Sequence, residues 1–197
     1  MYPSIYLASQ SPRRSQLLTQ LGVKHELLLA GPEEDAESLE DPVPGESPRD
    51  YVQRVTQLKL LAAMQRLKAR GLPLAPVLCS DTTVALGDTI YAKPADAQDA
   101  LRMLGDLSGQ THVVLTAVAI GQGEQLLQAC SESSVTFAAL SEAEIRAYVA
   151  SGEPMGKAGA YAVQGLAAAF ISRISGSYTG IMGLPLFETA QLLKSLA

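Results

Sequence analysis

The sequence predicts an α/β protein, and three observations carry that reading. Ser4–Ala8 is a short apolar run of strand length; Leu17, Leu18 and Leu21 then recur at helical spacing until Gly22, and His25–Ala30 returns as a second strand. A long amphipathic helix opening at Ser47 leads into the apolar segment Val77-Leu78-Cys79. Two β-rich runs, Val113–Ile120 and Glu124–Phe137, flank the turn Gly121-Gln122-Gly123 in hairpin fashion. Strand–helix–strand units followed by hairpins imply a sheet with helices packed against it.

The 197 residues suffice for a substantial core. No repeat or flexible linker divides them, so residues 1–197 are read as one domain. Apolar content of 47% with 18% charged residues is that of an ordinary globular chain. The net charge of −5 excludes a global basic footprint for nucleic acid, and the absence of Trp removes a stacking platform for single strands. Cys79 and Cys130 are too few for a disulfide framework and fit a reducing compartment. With no basic-then-apolar leader and no apolar run of membrane-spanning length, a cytoplasmic protein without a membrane partner is expected.

The first chemical signal is Ala8-Ser9-Gln10-Ser11-Pro12-Arg13-Arg14 at the first strand-to-helix corner. Ser11 is a suitable N-cap and Pro12 suits the first helical position. Helix-terminal amides and two guanidiniums at one corner favour an anion, and arginine forks match phosphate oxygens. Residues 31–47, rich in Pro, acids, Ser and Gly, read as a surface loop containing the acidic turn Glu33-Glu34-Asp35. Such a loop is ordinarily solvated; the other reading turns Glu33 or Glu34 inward onto a hard cation.

Ser47-Pro48-Arg49-Asp50 opens the long helix, with Asp50 as box partner, and Tyr51, Val52, Val55, Leu58 and Ala62 share its apolar face. Lys59 falls within that stripe, so it either snorkels past the edge of the core or emerges into a cleft to meet an anion, and the stripe placement favours the cleft. Val77–Cys79 reads as a strand ending at Ser80-Asp81-Thr82, placing a carboxylate where open α/β sheets have their ligand crevices. A hairpin over 83–92 delivers Lys93-Pro94, and Asp96–Leu107 is an amphipathic helix. His112, with no other His or Cys near it in sequence, reads as a turn or core histidine. Ser141-Glu142-Ala143-Glu144 is a capping box, and the segment Glu153–Gly165 is punctuated by glycines that allow close backbone approach. Ala168–Ile174 reads as a last strand before a C-terminal helix.

Taken together, Leu7–Arg14, Tyr51-Val52 with Arg54 and Lys59, Asp81-Thr82, Lys93-Pro94 and Leu107–His112 form one ordered set of motifs. Lys157–Tyr161, Gln164-Gly165, Gly176-Ser177-Tyr178 and Gly183-Leu184-Pro185-Leu186 complete it. The set resembles the Maf family of nucleoside triphosphate pyrophosphatases over nearly the whole chain. The resemblance implies a mixed, twisted sheet with flanking helices, in two lobes around a deep cleft of ITPase-like type, commonly paired as a homodimer. It also implies hydrolysis of a nucleoside triphosphate to the monophosphate and pyrophosphate with a divalent cation, Mg²⁺, Mn²⁺ or Co²⁺. Within the family, Arg13, Thr82 and Gln164 are the three residues of the dTTP- and UTP-preferring group, whereas the 7-methyl-GTP group carries Trp, Gln and Glu there. A neutral amide such as Gln164 can both donate to and accept from a uracil-like edge. The chain departs from the family pattern at Gly156, where an Asp is usual before Lys157, and at Thr56, Cys79, Ser80 and Ala92.

On this resemblance the phosphate cradle is expected to comprise Ser9, Arg13, Arg14 and the helix-terminal amides, with Lys59 and Lys93 on the opposite wall. Asp81 is the expected general base or, equally, a metal ligand. Glu34 is the leading further metal ligand and Glu33 stands behind it. Two alternatives stay open: a 7-methyl-GTP pyrophosphatase of the same family, and a nucleotide-binding regulator of septum formation without significant turnover.

Overall fold

The computed structural model describes residues 2–34 and 38–196, so Asp35 of the acidic turn lies outside the described residues. The elements in order are β1 (Ile5–Leu7), α1 (Pro12–Gln20), β2 (His25–Leu27), α2 (Pro48–Ala69), β3 (Val77–Leu86) and β4 (Thr89–Tyr91). They continue with α3 (Ala97–Leu107), β5 (Thr111–Gln122), β6 (Gln125–Phe137), α4 (Glu142–Ala150), β7 (Ile171–Ser175), α5 (Tyr178–Ile181) and α6 (Leu186–Ser195). They form one mixed sheet in the order β2-β1-β3-β5-β6-β7, with β4 added to β3. β1 is parallel to both β2 and β3; the remaining pairs are antiparallel.

Helix starts follow the sequence chemistry. Ser47 Oγ accepts from the Asp50 amide and donates to its carboxylate, with Pro48 at the first turn of α2. Ser141 and Glu144 form the reciprocal capping box of α4. Ser11 flanks α1 but its hydroxyl makes no capping bond; its own amide donates to Ser9 Oγ instead, which draws Ser9 toward the helix start.

Helices cover both faces of the sheet. On one face α1 and α6 pack Leu17, Leu18 and Leu193 onto Leu7, Leu78 and Ile120. On the other, α2 packs Leu60, Ala63 and Leu67 onto Tyr6, Val77 and Cys79, and Tyr51, Val52 and Val55 onto Leu115 and Ala117. A further core, at the other end of the sheet, gathers α3, α4 and the 158–170 segment around Phe137.

Two expectations are corrected. β3 does not end at Ser80-Asp81-Thr82: these residues pair with Val118, Ala117 and Thr116, and the strand runs on to Leu86. Polar side chains interrupt the apolar pattern there without interrupting the backbone pairing. The last strand begins at Ile171 rather than Ala168, because residues 166–170 form a 3₁₀ turn; alanines give a strand no β-branched packing to hold them.

Consecutive β3 partners leave a gap. β1 pairs with Val77 and Leu78, and β4 pairs with Val84 to Leu86, both on the edge opposite β5. Among the described residues, 79–83 have no strand partner on that edge, and the site lies there. Leu18, fully buried, fixes the helix that faces this gap. Leu18→Ala should therefore lower stability by about 2–5 kcal/mol, read as a lower urea midpoint at unchanged slope.

Candidate active site

The gap in β3 opens a cleft of about 680 Å³. Strand alternation sends Asp81 to the α2 face of the sheet and Ser80 and Thr82 to the α1 face, and the missing neighbour exposes all three to one space. Ser9, Arg13, Arg14, Glu34, Lys59, Asp81, Thr82, Lys93 and Gln164 all border it; Glu33 does not.

One wall is built from the α1 corner. Arg14 donates from Nε to the Gly183 carbonyl (2.8 Å) and from Nη1 to Ser9 Oγ (3.1 Å), and Arg13 Nε donates to the Met182 carbonyl (3.4 Å). The 182–183 loop thus aims both guanidiniums into the cleft. Burial lowers the Arg14 pKa and nearby Asp81 opposes that shift; an arginine remains charged in either case. Thr82 Oγ1 lies 3.0 Å from the Thr116 hydroxyl, which in turn lies 2.8 Å from the Gly180 carbonyl.

The opposite wall is electrostatically coupled. Lys59 leaves the apolar stripe of α2 and donates to Asp81 Oδ1 at 2.6 Å and to Glu40 Oε1 at 2.7 Å. Its side chain is 21% exposed and that of Asp81 14%. Burial pulls the Lys59 pKa down, but the two carboxylates outweigh it and the net shift is upward. For Glu40 burial pushes up, while Lys59 and Lys93 prevail and hold it below the ordinary carboxylate range. Lys93, more exposed, reaches the Glu40 carboxylate at 3.4 Å. Glu40, in a 3₁₀ turn of residues 38–40, is the residue that sequence reasoning missed. It was one acid among many in the loop, and nothing in the local pattern marked it.

Glu34 is engaged elsewhere. Arg66 grips both of its oxygens at 2.6–2.9 Å, and the Gly31 amide donates to Oε1. The Arg66 hydrogen bonds, with help from Gly31, depress its pKa to about 2. Glu34 and Asp81 both border the cleft, but the Glu34 oxygens are taken up by Arg66 whereas Asp81 is held by Lys59. For a divalent cation the fitting donors are Asp81 and Glu40, two carboxylates already closed on one ammonium. Hard cations take one or two carboxylates beside substrate phosphates. No group of three or more His, Cys, Asp or Glu side chains is placed to hold a metal among the described residues.

Other nucleophile and ligand candidates are absorbed by the core. Cys79 is buried, and burial pushes its thiol up to about 12. His112 lies buried in β5 with Nε2 2.8 Å from Tyr161 Oη, and burial lowers its pKa to about 4. Gly156 has φ of +72° with open space where a Cβ would stand, and Lys157 beside it reaches the Met155 carbonyl at 3.3 Å.

A mixed α/β sheet with a guanidinium wall, a lysine–carboxylate wall and a cleft between them defines a binder of polyanionic small molecules. A family model described as Maf-like protein matches residues 4–196, and the chain belongs to that family. The chain is 70% identical over 191 residues to the dTTP/UTP pyrophosphatase of Albidiferax ferrireducens, covering 97% of this chain and 96% of that one. It is 63% identical to the dTTP/UTP pyrophosphatase of a Polaromonas species (97% and 95% covered) and 64% to that of Cupriavidus metallidurans (96% and 95%). Among solved structures, the Staphylococcus aureus Ham1 protein aligns at 12% identity and a TM-score of 0.44, over 68% of this chain and 71% of that one. A nucleoside-triphosphatase / dITP/XTP pyrophosphatase from Mycobacterium abscessus aligns at 17% and 0.39, over 70% and 75%.

The depressed Glu34 pKa has a consequence for stability. Between its ordinary 4.5 and about 2, the unfolded chain takes up a proton that the folded chain refuses. The Glu34 contribution is therefore fully present above pH 4.5 and fades as pH falls toward 2. Glu34→Gln should melt below the wild type at pH 7, and thermal melts should show that difference narrowing across this window.

Proposed function

We propose that this chain is a nucleoside triphosphate pyrophosphatase that hydrolyses dTTP and UTP to the monophosphate and pyrophosphate. The observation that carries the reading is the gap in β3, which sets Asp81 across one cleft from Arg13 and Arg14. Arg13, Thr82 and Gln164 agree with the pyrimidine group, and the names of the close relatives agree with that choice. Modified pyrimidine nucleotides fall within the same class. The 7-methyl-GTP alternative has no residue of its own at the three positions.

In this reading the base sits against Gln164, and the β- and γ-phosphates rest on Ser9, Arg13, Arg14 and the amides opening α1. Lys59 and Lys93 neutralise the other side of the chain of phosphates. Positioning and charge neutralisation are most of what phosphoryl transfer asks of a protein. Asp81 is then beside the α-phosphate. Water attacks the α-phosphorus, its proton passes to Asp81, and the bond to the bridging oxygen breaks to release pyrophosphate. A divalent cation (Mg²⁺, Mn²⁺ or Co²⁺) held by Asp81, Glu40 and substrate phosphates would supply Lewis acidity and a lower water pKa. Asp81 as metal ligand in place of base remains part of the proposal, and Glu34 serves instead to anchor the loop through Arg66.

The continuous sheet supports one domain over residues 1–197, its two lobes facing across the cleft. No helix among the described residues is long and apolar enough to cross a membrane. A cytoplasmic location is supported by the free cysteines. The homodimer rests on the family resemblance alone.

Purified protein assayed for pyrophosphate release should turn over dTTP and UTP faster than 7-methyl-GTP, GTP and ATP; a purine-led profile contradicts the assignment, and binding without release favours the septum-regulator reading. Asp81→Asn should lose at least ~10²-fold in kcat at saturating Mg²⁺, the usual contribution of a positioned base. Arg13→Ala should raise the barrier by about 1.5–3 kcal/mol, the worth of a charged hydrogen-bonded contact, measured as kcat/KM for UTP.

A further inference from the structure

Gln164 is exposed in the cleft and makes no side-chain hydrogen bond among the described residues. Its own contacts therefore do not hold it in place. Its backbone does. On one side, the Ala162 amide donates to Tyr148 Oη (3.3 Å); on the other, the Leu166 amide donates to Glu153 Oε2 (3.0 Å) and the Ala167 amide to Glu153 Oε1 (3.4 Å). The two grips are joined, because Tyr148 Oη donates to Glu153 Oε1 at 2.9 Å. Between them the Gly165 amide donates to the Ala162 carbonyl (3.0 Å), closing a tight turn around Gln164.

The fit is close. A Cβ at Gly165 would stand 2.3 Å from Glu153 Oε1 and 2.4 Å from Oε2, so the backbone rests directly on the carboxylate. Gly165 has φ of −106°, a value any residue adopts, so a side chain here would meet the Glu153 carboxylate rather than backbone strain. Tyr148 is buried at the last turn of α4, whose far end is tied by the capping box. Burial and Glu153 both raise the Tyr148 pKa, so its hydroxyl stays a donor at neutral pH.

We infer that Tyr148 and Glu153 are positioning residues that hold the Gln164 amide in register with the substrate base. This rests on Gln164 reading the base, as proposed above. An amide discriminates by presenting one donor edge and one acceptor edge in fixed places, and a site built to hydrogen-bond a substrate edge loses discrimination when that geometry is loose. Neither residue is among the cleft-lining side chains, so their effect reaches the substrate only through the 162–167 segment.

The test compares Tyr148→Phe, Glu153→Gln and Gln164→Ala with the wild type, using KM and kcat for UTP and competitive inhibition by tripolyphosphate, which has phosphates and no base. Glu153→Gln keeps the side chain's size but replaces one of the two accepting oxygens with a donor. The clamp predicts that KM for UTP rises roughly tenfold in Tyr148→Phe and Glu153→Gln, about the effect of one lost hydrogen bond. Tripolyphosphate inhibition stays at the wild-type value in both. A fall in tripolyphosphate affinity equal to that for UTP would show general loosening of the fold and overturn the inference. Wild-type KM in both clamp variants while Gln164→Ala is impaired would overturn it as well. An unimpaired Gln164→Ala would instead remove the base-reading assignment beneath it. Should Glu153→Gln fail to fold, Tyr148→Phe, which removes one oxygen, decides alone.

Discussion

Strand β1 makes its last sheet contacts at Leu7 and Ala8, and β4 takes up the same edge of β3 only at Val84. The strand between them is continuous because β5 pairs with it throughout on the other side. An unpaired stretch of strand edge is usually covered, since its backbone polar groups need partners. Here it borders the cleft, whose proposed occupant is a polar ligand, and the proposed catalytic and phosphate-binding side chains line that same cleft. The α1 corner begins where β1 stops, so the arginine wall follows from the same early ending.

Charge in the cleft is balanced in a way that suits a polyanion. Lys59 is shared by Asp81 and Glu40, and Glu40 also approaches Lys93. These carboxylates keep the partly buried Lys59 ammonium satisfied before substrate binds, since an unpaired buried charge is costly. In the proposed function, phosphates would compete with these carboxylates for the lysines, and the carboxylates so released would be the donors for a divalent cation. Arg66 and Glu34 form a separate pair beside this network, with Arg66 Nη1 also donating to the Leu28 carbonyl.

Much of this was legible in the chain itself. Leu17 and Leu18, the Ser47-Pro48 start, the Ala100, Met103, Leu104, Leu107 face and the Ser141 capping box are local signals, and each has its predicted role in the structure. Lys59 was visible as a cation inside an apolar stripe. What escaped depends on distant partners. The continuation of β3 through Asp81 is decided by pairing with residues 116–118, far along the chain. Glu40 is selected from its acidic loop by where Lys59 and Lys93 happen to stand, and Glu34 is claimed by Arg66, two helical turns beyond Lys59. The Tyr148–Glu153 grip on residues 162–167 has no sequence periodicity at all.

The central claim is that the β3 gap places Asp81 beside the α-phosphate while α1 holds the β- and γ-phosphates. Hydrolysis of UTP in ¹⁸O-labelled water, followed by mass spectrometry of both products, tests it directly. The account predicts one labelled oxygen in UMP and none in pyrophosphate. Label appearing in pyrophosphate would place the attack at the β-phosphorus and contradict the arrangement.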